Sequence, residues 1–208
     1  MRSVVRGVIV GLVVLGALGA VASRAGWIVV DVPRFDGTFA WVLSRATGYA
    51  AYLALALDVA VGLLVSARAG DRFLARGHAV ELHRWLSPLG LALVLGHAVV
   101  LLADRYVRFD LLDVAVPFVS SYRPVAVGLG VVAAYLAVVV HASFAFRRQL
   151  GTPRWRKLHA LSFVAFAGAT LHAVLAGSDA WSPWALALVG APLAIVVVLL
   201  VRRIRGKR

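Results

Sequence analysis

Residues 182–201 (SPWALALVGAPLAIVVVLLV) run for twenty positions without a charged side chain. A helix of that length crosses a hydrocarbon core about 30 Å thick. Five more apolar segments approach the same length, at roughly 4–22, 45–66, 82–102, 124–146 and 157–176. With 62% of its 208 residues hydrophobic, the chain has more apolar surface than a soluble domain of this size can bury. The sequence therefore predicts an all-α, polytopic membrane bundle of six transmembrane helices, forming a single domain over 1–208. The first segment follows Arg2 and Arg6 like a signal peptide, but its apolar stretch is long for one, and it is read as a helix.

Charge distribution gives the orientation. The formal net charge of +13 would suit nucleic acid if it lay on one soluble face, but it lies in alternate loops. Sixteen of the 22 Lys and Arg residues fall at the two termini and in the loops near 68–84 and 147–157, against six on the other side. Basic loops stay in the cytoplasm. Both termini are therefore expected there, in a multi-pass protein of a cell membrane, with lipid rather than nucleic acid as its surroundings. The opposite loops hold Asp31, Asp36, Asp104, Asp110 and Asp113. Tyr106, Phe109, Phe118 and Tyr122 are expected there as an interfacial aromatic belt.

Histidines carry the chemistry. His83 and His97 lie fourteen positions apart in the third segment, and His159 and His172 thirteen apart in the fifth. Each pair spans roughly 20 Å of helix. Both segments run in the same direction, so the histidines pair in order, His83 with His159 and His97 with His172. Two helices built this way can hold two haems, one above the other, each iron bound by one imidazole from each helix, a six-coordinate arrangement suited to electron transfer. Phase supports the first pair, whose members share a helix face. The second pair falls about 140° apart on an ideal helix. Overwinding near Gly168 or an irregular start at His159 would reduce that misfit. A compact zinc site on a helix needs i, i+4 spacing, which neither pair has. With no cysteine in the chain, thiolate ligands and covalent haem attachment are excluded.

Other residues have two readings each. Arg84, Arg156 and Lys157 beside the inner ligands, and Arg105, Arg123 and Arg45 at the outer side, are either partners for haem propionates or interfacial anchors. Asp58 is a carboxylate deep in a span, suited to an interhelical hydrogen bond or to proton uptake at a quinone site. His141 is a polar interface residue or an alternative ligand. His78 reads as a solvated loop residue. Trp85 and Trp155 are belt residues that could also approach a haem edge. Gly90, Gly96 and Gly168 make room for a macrocycle or for close helix packing.

Over 45–201 the chain resembles the ferric reductase-like transmembrane domain. That domain is shared by ferric reductases, NADPH oxidases and the haem-binding membrane subunit of a bacterial periplasmic methionine sulfoxide reductase system. The resemblance rests on the two paired histidine spacings, on RWRKLH at 154–159 and on SYRP at 121–124. It implies two non-covalent b-type haems held by His83, His97, His159 and His172, and an oxidoreductase role passing electrons outward across the membrane. Ferric reductases and NADPH oxidases continue into a flavin and nicotinamide domain, whereas this sequence ends at RRIRGKR. Its expected electron donor is a separate flavoprotein or membrane quinol, and its acceptor ferric iron, oxygen or a periplasmic or extracellular protein. Two alternatives stand beside this: a haem-binding subunit or scaffold of a separate reductase, and a proton-coupled transporter using Asp58 and the histidines.

Overall fold

The structure is a computed structural model that describes residues 39–67 and 75–206, together with Val21. Every described element is a helix: α1 Phe39–Ala67, α2 Arg76–Leu102, α3 Leu111–Ala115, α4 Pro124–Ala142, α5 Arg147–Leu150, α6 Thr152–His159, α7 Leu161–Ala176 and α8 Pro183–Arg205. Five helical spans among the described residues are long and apolar enough to cross a membrane, with α6 and α7 together making one of them. The expected first segment, 4–22, lies outside the described residues apart from Val21.

Most of the helices extend beyond the apolar runs that signal them. The second and third segments each begin six residues earlier than expected, at Phe39 and Arg76, and the last continues through Arg202, Arg203 and Arg205. Those arginines stand in the final turn of α8, where cations complement the helix dipole and reach the interface. The fourth segment is shorter than expected. Its helix stops at Ala142 and a run of i→i+3 turns leads into α5. Starts are marked by Pro124 and Pro183 in first-turn positions, where a missing N–H costs nothing.

α1 is the central helix. Half of its span is buried, against 11% for α2 and 17% for α8. It packs against α2, α7 and α8, while α4 packs chiefly against α7. Tyr52, Ala56, Val59, Ala60 and Leu63 of α1 meet Phe166 of α7 and Val189 and Val196 of α8 in the main core. Tyr52 donates to the Val189 carbonyl at 3.1 Å and stacks on Phe166. Large apolar side chains on the outward faces, such as Leu89, Leu95, Leu171 and Ile195, are exposed. Saturated helix backbones and an apolar exterior are what a lipid solvent requires.

Helix α2 carries His83 and His97, and the α6–α7 span carries His159 and His172; α2 and α7 are not packed against each other. α1 and α4 lie to either side and hold them apart. Connections at the end opposite the basic loops fix that spacing. Tyr122 donates to the Ala176 carbonyl at 3.2 Å, and Arg123 to the Leu175 carbonyl at 2.7 Å, satisfying the last carbonyls of α7. Arg45 pairs with Asp179 and donates to Ser178, tying α1 to the α7–α8 connection. Phe109 is not at a surface belt as expected. It is buried and packs edge-on against Tyr122, whereas Tyr106 is exposed.

Candidate functional site: two facing histidine pairs in one cavity

A cavity of about 910 Å³ runs between α1, α2, α4, α6 and α7 and is lined by His83, His97, His159 and His172. This is at the upper end of the range for small-molecule sites, about 300–1,000 Å³. Its walls are largely aliphatic, including Leu55, Val59, Leu86, Leu91 and Val94. Arg76, Arg156, Lys157 and Arg203 line one end, and Arg45, Asp104, Ser178 and Asp179 line the other.

The imidazoles meet across this cavity in two pairs. The ring centres of His83 and His159 are 6.0 Å apart, with planes at 87°. Those of His97 and His172 are 6.3 Å apart, at 73°. Two imidazoles binding opposite sides of one metal through bonds of about 2 Å place their ring centres about 6 Å apart. The order of pairing follows from α2 and the α6–α7 span running in the same direction.

Three of the four rings are held by the same local device. His97 Nδ1 lies 2.7 Å from the Ser44 carbonyl, His172 Nδ1 2.8 Å from the Ala126 carbonyl, and His83 Nδ1 3.2 Å from the Asp58 carbonyl. A carbonyl only accepts, so each Nδ1 carries the proton and each Nε2 is left with a free lone pair. Four residues beyond each of these carbonyls stands a glycine: Gly48, Gly130 and Gly62. A Cβ at Gly48 would meet His97 Cε1 at 3.0 Å, one at Gly62 would meet His83 Cε1 at 3.2 Å, and one at Gly130 would meet His172 Nδ1 at 2.6 Å. In a helix the carbonyl of residue i points toward residue i+4. A glycine there clears the approach, and the ring descends onto the carbonyl.

His159 is fixed differently. Its ring stacks on Trp155 at 4.9 Å and 22°, and Arg147 covers the same indole at 4.7 Å. The helix is interrupted at Ala160, directly after His159. There Phe163 N–H bonds the Ala160 carbonyl in an i→i+3 turn. This break shifts the phase of α6 relative to α7, so two histidines that would diverge on one regular helix face the same cavity. Gly168 lies within α7, where the helix packs closely on Ala133 of α4.

Asp58 lines the cavity, and its Oδ1 lies 2.6 Å from His83 Nδ1. The remaining residues singled out from sequence divide cleanly. Arg156, Lys157, Trp155, Arg45 and Gly90 line the cavity. Arg84 does not: it is exposed and bonds Glu81 at 3.1 Å, one turn away on the same helix. Arg123 is spent on the α7 carbonyls, and Arg105 is exposed outside the cavity. His141 is exposed and hydrogen-bonded to Ser87 at 3.0 Å, and His78 is exposed. Trp85 is 69% exposed and donates to Glu81.

The donor set fits a haem better than a bare ion. Among the described residues no three His, Cys, Asp or Glu side chains converge as an ion site. Each imidazole pair supplies two donors, which is the number an iron needs when a macrocycle fills its other four positions. Comparison with family models, with curated proteins and with solved structures finds no match to this chain.

Proposed function

We propose that this protein is a transmembrane b-type cytochrome that passes electrons between the two faces of a membrane through two bis-histidine sites. The observation that carries the reading is the pair of facing imidazoles at each of two depths, 6.0 and 6.3 Å apart, with three of the outer-ring nitrogens tied to backbone carbonyls. Metal-binding histidines characteristically donate their other N–H to such an acceptor, which fixes both tautomer and ring orientation. Bound between these pairs, haem would supply one-electron chemistry at an iron with no open coordination position.

The chain's own residues do the rest. Ser44, Asp58 and Ala126 orient three rings through their carbonyls, and Trp155 orients the fourth by stacking. Aliphatic walls from α1, α2, α4 and α7 exclude water and lower the local dielectric. On this reading Arg156, Lys157 and Arg203, which line one end of the cavity, neutralise propionates there, while Arg45 at the other end is already paired with Asp179. In the same reading the protein lies in a bacterial plasma membrane, and by the distribution of basic residues the end bearing Arg156 and Arg203 faces the cytoplasm. On this reading there are six crossings, with both termini inside. A flavin or quinol then donates on the cytoplasmic side, and the acceptor lies outside.

Alanine substitution of each histidine tests this. His83→Ala and His159→Ala are each expected to remove the same one of two spectrally resolved haems, and His97→Ala and His172→Ala the other. Unchanged haem content in all four variants would overturn the reading. The Asp58–His83 contact also suits a proton-coupled transporter, and a purified protein without a red, reducible pigment would favour that function.

A further inference from the structure

Of the three imidazoles tied to helix carbonyls, His83 alone is tied to a residue that is itself ionisable. Asp58 offers the ring its carbonyl at 3.2 Å and its carboxylate Oδ1 at 2.6 Å from the same nitrogen. The carboxylate contact is close but bent, and the buried Oδ1 makes no hydrogen bond of good geometry among the described residues. Ser44 and Ala126, which hold His97 and His172, bring no charge. An intramembrane carboxylate is costly and needs a partner, and the polar group found against the Asp58 carboxylate is the Nδ1 of this ring.

The placement follows from the glycine device. Gly62 lies one turn beyond Asp58, and its missing Cβ lets His83 descend onto α1. The approach that delivers Nδ1–H to the Asp58 carbonyl also brings it against the Asp58 side chain. A carboxylate beside the outer nitrogen of a ligating histidine raises the basicity of the ligand. A more basic ligand, with a negative charge close by, favours the oxidised and more positive state of the metal it holds.

Resting on the haem reading above, we propose that Asp58 is a positioning residue that sets the His83–His159 site at a lower reduction potential than the His97–His172 site. Electrons entering at the basic end of the cavity then move energetically downhill toward the Asp179 end. Arg156, Lys157 and Arg203 line the same end as Asp58 and act in the opposite sense. The decisive comparison therefore removes the Asp58 charge alone.

Optical redox titration of the full-length protein tests this. In the wild type two midpoints are expected, and the lower must belong to the haem that His83→Ala removes. In Asp58→Asn that midpoint is expected to rise by at least a tenfold change in the redox equilibrium constant, 59 mV for one electron. The other midpoint stays in place, and Asp58→Glu restores most of the shift. The proposal is overturned if Asp58→Asn keeps both haems with unmoved midpoints. It is equally overturned if the lower wild-type midpoint belongs to the haem lost in His97→Ala, a comparison that stands even where Asp58→Asn fails to load. A wild-type protein that binds no haem would instead overturn the parent reading.

Discussion

At the scale of single residues, the site depends on atoms that are missing. An imidazole can hydrogen-bond a helix carbonyl that already accepts from its own helix only if nothing stands over that carbonyl, and Gly48, Gly62 and Gly130 leave it open. Adding a methyl group to each should disturb its histidine in proportion to the crowding. Gly130→Ala, with 2.6 Å to His172, is expected to be the most disruptive, Gly48→Ala at 3.0 Å intermediate and Gly62→Ala at 3.2 Å the mildest. Overpacking of this kind costs about 1–3 kcal/mol, and haem retention during thermal denaturation would rank the three. Equal behaviour of the three, or a reversed order, would contradict the device. The histidines themselves were legible in the sequence because ionisable groups are rare in spans. The glycines were not, because glycine is common in membrane helices and its role here depends on which neighbour it faces. One signal was present: Gly48 and Gly62 are fourteen apart, matching His83 and His97 in mirror order across the α1–α2 hairpin. Arg84 shows the reverse case. Its nearness to His83 in sequence left it two readings, propionate partner or interfacial anchor, and a helix turn of about 100° per residue carries it to an exposed face beside Glu81.

At the scale of helices, the arrangement is set by what separates α2 from α7 and by how α7 begins. Apolar length announced the five described spans, although α2 begins and α8 ends in charged turns beyond the apolar runs, and α4 stops short of its run. The phase of His159 against His172 could not be read from periodicity, since it depends on the interruption at Ala160, where the sequence carries neither proline nor glycine. Ties at the opposite end keep α1 in register with the α7–α8 connection, chiefly the Arg45–Asp179 pair, with side chains 18% and 23% exposed. Trp41 covers the Arg45 guanidinium at 4.2 Å, and Tyr49 reaches Asp179 at 3.4 Å. A double-mutant cycle of Arg45→Gln and Asp179→Asn is expected to give a coupling of about 1 kcal/mol, the upper end for pairs with access to solvent. Strict additivity in the unfolding free energies would show that the pair does not join these elements.

At the scale of the whole molecule, electron transfer through the proposed haems needs a direction. The basic end of the cavity, with Arg76, Arg156, Lys157 and Arg203, is assigned to the cytoplasm by loop charge alone. The absence of cysteine from the sequence makes this simple to examine. A single cysteine at Arg148, exposed in the basic connection, is expected to be shielded from a membrane-impermeant thiol reagent in intact cells. One at Ser121, exposed in the opposite loop, is expected to react. The opposite labelling pattern would invert the direction of electron flow. The most direct measurement of the central claim is the reduced-minus-oxidised spectrum of the purified protein, with haem counted per chain. Two low-spin b-type haems per polypeptide are expected, both extractable without breaking a covalent bond, and a colourless protein or a single five-coordinate haem would contradict the account.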